Sequence, residues 1–176
     1  MNAHEIIGAL LSKDSGKAAL FSPLDENGLS VMITGHDSAI TLIASPEETE
    51  SLYFSLVAPL LTLEGANANA QFAFLWHLAA ESAPGALPPG YVLFADSEDL
   101  SVYLGAQFSA QGLEIATLET LADEVFRYAQ VVRENLIDVL QDLSSMDLSQ
   151  QSDQQIGQIA GESTLQIPLN QEMLRV

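Results

Sequence analysis

The sequence has no cysteine, few cations and no long apolar run, and each absence excludes a class of protein. Without cysteine among its 176 residues, the chain can form neither a disulfide nor a thiolate metal site. Neither lysine nor arginine occurs between Lys17 and Arg127, so the middle of the chain lacks the cations that nucleic acids and phosphorylated substrates require. No apolar run reaches the roughly 18 residues of a membrane span. We therefore expect no nucleic-acid partner and no membrane insertion.

The charge is strongly one-sided, yet the composition is that of a folded protein. The formal net charge is −19, from 24 acidic and 5 basic residues, while 48% of the residues are hydrophobic. This length and hydrophobic content are enough for one domain with a core. Acidic charge on this scale favours solubility and can steer a basic partner towards the surface. Because the first residues lack a basic region and a cleavage motif, we expect no secretory signal and a soluble cytoplasmic protein.

Catalytic and metal-binding motifs are missing from the sequence. The three histidines, none of them in a metal-ligand spacing, are His4, His36 and His77. No GxSxG, GxGxxG or P-loop motif occurs. Adjacent carboxylates at residues 47–48 and 98–99 fall in predicted turns, where solvated charge is the usual outcome. The sequence predicts no catalytic residue, no metal site and no cofactor, so we do not expect an enzyme.

Alternating hydrophobicity and turn residues predict an α+β fold with an antiparallel, twisted sheet of about five to six strands. A short amphipathic helix is predicted over residues 3–12. The predicted strands span residues 18–22, 29–34, 39–44, 52–58, 91–95 and 100–108. Most of these strands are joined by short turns, which favours antiparallel pairing.

A central helix over residues 67–82 carries more apolar surface than one packing face can cover. Phe72, Leu75, Trp76 and Ala79 fall at i, i+3, i+4 and i+7, which places them on one face. Other apolar residues fill most of the remaining surface, so the helix needs cover on more than one side. A second copy of the chain is the simplest second cover. The alternative is a core helix in a monomer.

A second, longer helix is predicted over residues 117–143. Its apolar positions recur at 4-3-4-3 spacing: Leu118, Ala122, Val125, Ala129, Val132, Leu136, Val139 and Leu143. We expect this seam to lie on the sheet rather than in a free coiled coil. Residues 144–176 are rich in serine and glutamine and end in a short apolar stretch, which predicts a flexible tail. The predicted domain is therefore residues 1–143.

Four stretches of the sequence resemble one family. They are residues 52–60 (LYFSLVAPL), 72–82 (FAFLWHLAAES), 91–108 (YVLFADSEDLSVYLGAQF) and 118–136 (LETLADEVFRYAQVVRENL). In this order, and with the acidic charge and small size, they resemble the class I type III secretion chaperones, the Tir-chaperone or CesT/SycE-like family. The resemblance covers roughly residues 3–143.

The resemblance implies a homodimer in the bacterial cytoplasm that binds the N-terminal segment of a secreted effector, keeps it soluble and non-globular, and delivers it for export. The export ATPase of the secretion apparatus is a further candidate partner. On this hypothesis the central helix forms the dimer contact through Phe72, Leu75, Trp76 and Ala79. The implied effector-binding residues, each of which has an ordinary core position as its alternative, are Ile6, Ile7, Leu10, Leu11, Val31, Ile33, Ile40 and Leu42.

Two other functions remain open at this stage. One is a regulatory protein of the same fold that sequesters an anti-activator or a secretion gatekeeper. The other is a small α+β domain that binds a small ligand in an internal pocket.

Overall fold

The computed structural model describes residues 2–13, 20–34, 38–48, 50–83 and 85–145, with the side chains of residues 33, 34 and 38 excepted. Three helices and five strands occur in these residues. In chain order they are α1 (Ala3–Lys13), β1 (Leu29–Thr34), β2 (Ser38–Ile43), β3 (Tyr53–Thr62), α2 (Ala68–Glu81), β4 (Tyr91–Ala95), β5 (Ser101–Ser109) and α3 (Ile115–Ser145). The predicted α+β class is confirmed.

The strands form one antiparallel sheet in the order β1-β2-β3-β5-β4. The predicted strand at residues 18–22 is not part of this sheet in its described part, because Phe21 makes only an isolated bridge with Met32. Pro23 follows two residues later and has no N–H group to continue a ladder. The sheet therefore has five described strands, the lower of the two numbers expected.

One face of the sheet carries the core. By the pairing register, Leu42, Leu56 and Ala106 lie side by side on this face, and all three are buried. The helices bury residues in the same cluster, for example Ile7 of α1 and Phe74 of α2. No helix of the described residues covers the opposite face. The domain is thus one layer of helices on one side of a sheet.

In β1 the side chains of Ser30 and Met32, and not that of the more apolar Val31, face the core. Ser30 and Met32 are buried, whereas Val31 between them is 39% exposed. The hydroxyl of Ser30 donates to the carbonyl oxygen of Ser22, which satisfies the buried group. An alternating strand pattern defines two faces but does not say which one is covered.

Asn67 is the N-cap of α2. Its side-chain Oδ1 accepts a hydrogen bond from the N–H of Ala70 at 2.8 Å, which satisfies one of the free N–H groups of the first turn. We expect Asn67→Ala to lower the free energy of unfolding by about 1 kcal/mol, measured by urea denaturation. Asn69→Ala, two residues further along, is the matched control and should not lower it. Equal losses for both variants would contradict the capping assignment.

The long helix α3 lies over the core face, as predicted. Five residues of its apolar seam are buried: Leu118, Ala122, Val125, Ala129 and Leu136. The helix extends two residues beyond the predicted range at each end, so residues 144 and 145 are helical rather than part of a tail. The rest of the predicted tail, residues 146–176, lies outside the described residues. No helix in the described part is both long and apolar enough to cross a membrane.

Candidate interaction surfaces

The predicted dimer face of α2 is exposed in the single chain. Phe72 and Trp76 are 73% and 75% exposed, and Leu75 is 37% exposed. Ala79 continues the same face and is exposed as well. We call these four residues the α2 stripe. The other side of the helix packs into the core, so the stripe is apolar surface for which the described part of the chain supplies no cover.

Charge is nearly absent from α2. The helix contains one acidic residue, Glu81, and one histidine, His77. The His77 Nε2 atom lies 4.0 Å from the Glu81 Oε1 atom, and both side chains are partly exposed, so this contact contributes little to stability. Neither residue belongs to the α2 stripe, so a copy of the chain could pack on the stripe without desolvating a charge.

A second apolar surface is the uncovered face of the sheet. Its apolar side chains, which we call the open face, are Val31, Ile43, Tyr53, Val57, Val92, Phe94 and Tyr103. Four of them, Val31, Tyr53, Val92 and Phe94, are large hydrophobic residues that are 39–56% exposed. The pairing register joins these residues across all five strands.

Gly105 shapes the β4–β5 end of the open face. A Cβ atom built on Gly105 would lie 3.2 Å from Phe94 Cε1 and 3.2 Å from Val92 Cγ2. Because the glycine has no side chain, Val92 and Phe94 lean over it, and Phe94 stacks on Tyr103 with ring centroids 5.4 Å apart. Phe94 and Tyr103, which we call the aromatic platform, thus form a flat apolar surface at this end of the sheet.

A cavity of about 320 Å³ lies between α2, β4 and α3. Its apolar walls include Leu93, Val132 and Leu136, and its polar groups come from His77, Glu81, Tyr128 and Asn135. This volume is at the lower end of the range for small-molecule sites. Among the described residues, no group of side chains could hold a metal ion.

Tyr91, on the core face of β4, packs against Tyr128, with ring centroids 5.1 Å apart in an edge-on contact. Burial raises the pKa of Tyr91 above its usual value, and the nearby Glu124 carboxylate adds to the effect. Burial and a neighbouring carboxylate both favour the neutral phenol, which is the form expected of a packing residue.

The structure divides the predicted effector-binding residues into two groups. Four are buried in the core, namely Ile7, Leu11, Ile40 and Leu42. Ile40 and Leu42 point to the core face of β2, and α1 turns Ile7 and Leu11 inward, so in this structure they are ordinary core positions. The residues with surface left for a partner are Ile6, Leu10 and Val31. Ile33 belongs to β1, but its side chain lies outside the described residues.

Sequence reasoning missed most of the open face. Tyr53, Val92, Phe94 and Tyr103 were predicted only as strand residues. One signal was present, because none of the five strands contains a charged residue on either face. A solvated sheet face usually alternates polar with apolar residues and often includes charged ones, so strands without any charge were a signal that this face is more apolar than usual.

Comparison with known proteins gives agreement in fold rather than in sequence. No protein-family model matches the chain, and no curated protein matches its sequence. A chain of the HopA1–SchA chaperone–effector complex matches with a TM-score of 0.51 and 17% identity, covering 75% of this chain and 96% of that one. A chain of the ExsC–ExsE complex matches with a TM-score of 0.52 and 19% identity, covering 77% and 97%. The predicted resemblance to the type III secretion chaperones is therefore confirmed at the level of the fold.

Proposed function

We propose that this protein is a class I type III secretion chaperone of the bacterial cytoplasm. It forms a homodimer, binds the N-terminal segment of a secreted effector, keeps that segment soluble and non-globular, and delivers it for export. The observation that supports the proposal is the presence of two separate apolar surfaces, the α2 stripe and the open face, on a fold that resembles a chain of a chaperone–effector complex.

The α2 stripe is proposed as the dimer contact. It is compact, uncharged and aromatic, and aromatic residues at the centre of an interface contribute most to binding. A helix face that meets its own copy satisfies the symmetry of a two-fold dimer. Phe72, Leu75, Trp76 and Ala79 would be buried there.

The open face is proposed as the main effector site. Strand addition at a sheet edge is limited by contacts already made at both edges. The N–H of Ser22 donates to the Val31 carbonyl oxygen at the β1 edge, and the Ser82 hydroxyl donates to the Leu93 carbonyl oxygen at the β4 edge. Side-chain burial on the face is therefore expected to contribute more than new main-chain hydrogen bonds. Val31 extends the proposed binding surface beyond the aromatic platform. Ile6 and Leu10 belong to α1, which packs on the core side of the sheet, so they are not part of this surface.

Export completes the proposed role. An effector segment that is held extended across the sheet cannot fold into a globular core. It therefore stays narrow enough to pass through the channel of the export apparatus. The proposed chaperone does not itself use an energy source to release the effector. Release of the effector is therefore proposed to require a partner, and the export ATPase of the secretion apparatus is the candidate.

The test uses Phe94→Ser in the native bacterium. We expect the tagged wild-type chain to co-purify with a larger protein and the variant to retain less than about a tenth of it, because the aromatic platform is lost. Val131→Ser, which changes a 55% exposed residue on α3, is the matched control and should retain the partner. Phe94→Ser loses the stacking on Tyr103 and should melt somewhat below the wild type, so both variants are compared at a temperature at which circular dichroism shows them fully folded. Equal capture by Phe94→Ser and wild type would contradict the site assignment.

The cavity beside His77 supports one alternative function, a small-ligand site. That function predicts a ligand-dependent rise in melting temperature without any protein partner. A regulator of the same fold would use the same surfaces as the chaperone, and the identity of the co-purified protein separates these two.

A further inference from the structure

All charge is excluded from the sheet. The strands β1 to β5 contain no aspartate, glutamate, lysine, arginine or histidine. The positions on the side of the sheet that carries the open face are apolar, hydroxyl or amide residues, among them Val31, Tyr53 and Gln107. A partner segment that crosses the middle of this face therefore meets no charge and is expected to be uncharged there.

Acidic residues lie beyond one end of the strands. At this end β3 leads into α2 and β4 turns into β5, and the Leu63 N–H donates to the Leu100 carbonyl oxygen, which holds the two turns together. The exposed carboxylates of these two turns are Glu64, Asp96, Glu98 and Asp99. Asp99 is fixed against the open face, since it accepts hydrogen bonds from the Ser101 N–H and the Tyr103 hydroxyl.

Acidic residues lie beyond the opposite end as well. Here the turn before β1 meets the loop between β2 and β3, joined by a hydrogen bond from the Ala44 N–H to the Gly28 carbonyl oxygen. The exposed carboxylates at this end are Asp25, Glu26, Glu47, Glu48 and Glu50. Both ends of the apolar face are thus negatively charged.

None of the lysine and arginine residues in the described part of the chain lies in the turns that carry these carboxylates. The lysine and arginine residues of the described part are Lys13, Arg127 and Arg133, which lie on α1 and α3. Arg127 lies 3.9 Å from Asp123 within α3 itself. An uncharged, low-dielectric surface between two negative rims raises the local concentration of cationic groups at each end.

We infer that the segment bound on the open face has an apolar centre and lysine or arginine residues at both ends. The inference rests on the proposed function, because it assumes that a partner segment lies on this face. Strand β3 has ten residues, so the two rims are separated by roughly 33 Å. An extended segment spans that distance with about ten residues, and a helix needs about twice as many.

Two synthetic peptides test this charge pattern. Both have the same alternating valine–threonine centre with one phenylalanine, and one is flanked by lysines at both ends while the other is flanked by glutamates. We expect the lysine-flanked peptide to bind, with a dissociation constant that rises about tenfold or more between about 50 and about 500 mM salt. The glutamate-flanked peptide should not bind. Equal binding of both peptides, or binding of neither, would overturn the inference.

Charge reversal on the protein locates the effect. Glu64→Lys with Glu98→Lys changes one rim, and Glu47→Lys with Glu48→Lys changes the other. Each pair should weaken the lysine-flanked peptide by about tenfold. The matched control changes the net charge equally on the helix-covered side of the domain, with Glu134→Lys and Asp138→Lys on α3, and should leave binding unchanged. An equal loss in the control would show that only net charge matters and would overturn the inference.

Phe94→Ser separates this inference from the proposed function. If the variant does not weaken the lysine-flanked peptide, the peptide binds elsewhere, and the placement of the partner on the open face fails together with the inference. If the variant weakens both peptides alike and both bind wild type equally well, the open face remains the binding site and only the charge pattern is overturned.

Discussion

Replacing Trp76 with glutamate is expected to change the protein from a dimer, of twice 18.9 kDa, to a monomer. Trp76 is 75% exposed on the α2 stripe and would lie at the centre of the proposed contact. A tryptophan at such a position typically contributes about 2 kcal/mol or more, and glutamate adds a charge that the interface would have to desolvate. The dissociation constant should rise at least about thirtyfold. Sedimentation equilibrium over a concentration series measures it.

Val131→Glu is the matched control for this substitution. Val131 is also an exposed apolar residue, at 55%, but it lies on α3, so the variant should remain a dimer. Trp76 is the only tryptophan of the chain, so its emission in the wild-type protein should shift to longer wavelength as dilution dissociates the dimer. A Trp76→Glu protein that stays a folded dimer would contradict the interface assignment.

Gly28→Ala is expected to destabilise the domain by about 3 kcal/mol. Gly28 has φ +78°, and a Cβ atom there would lie 2.1 Å from the Ala44 carbonyl oxygen and 2.8 Å from the Ala44 carbonyl carbon. These neighbours are backbone atoms, so the start of β1 must move away from the end of β2. That movement would break the hydrogen bond from the Ala44 N–H to the Gly28 carbonyl oxygen. Urea denaturation measures the loss.

Gly65→Ala provides the comparison. Gly65 has a similar positive φ of +88°, but nothing lies within 4 Å of its added Cβ atom. In this variant only the strain of an alanine in the left-handed backbone region should lower the free energy of unfolding, by about 1 kcal/mol. Equal losses for the two variants would mean that the close approach of Gly28 to Ala44 does not limit stability.

Local periodicity was enough to predict most elements of the fold. The helix α2 was placed to within about a residue, because its apolar spacing and the Asn67 cap are both local signals. The bounds of β1 agree fully, because the Asn27-Gly28 turn precedes it. The strand at residues 18–22 was wrong in its described part, since Pro23 follows it closely. The end of β3 was also wrong, because the strand continues past Pro59 to Thr62, with a register shift between Pro59 and Leu61.

The surfaces could not be predicted to the same extent, because they depend on which face of each element is covered. Ile40 and Leu42 are apolar strand residues of the kind that line a binding patch, but the helices pack on their side of the sheet and bury them. Phe94 and Tyr103 come together because the pairing of β4 with β5 places them opposite each other, and Gly105 leaves room for the Phe94 ring. The α2 stripe was identifiable because its periodicity lies within one helix.

The most direct test of the account is the native mass and composition of the complex that the tagged chain forms in its own bacterium. We predict two copies of this chain for each copy of a larger secreted protein, bound through the N-terminal region of that protein. A protein isolated as a bare monomer, with no protein partner, would contradict both the α2 dimer and the chaperone function.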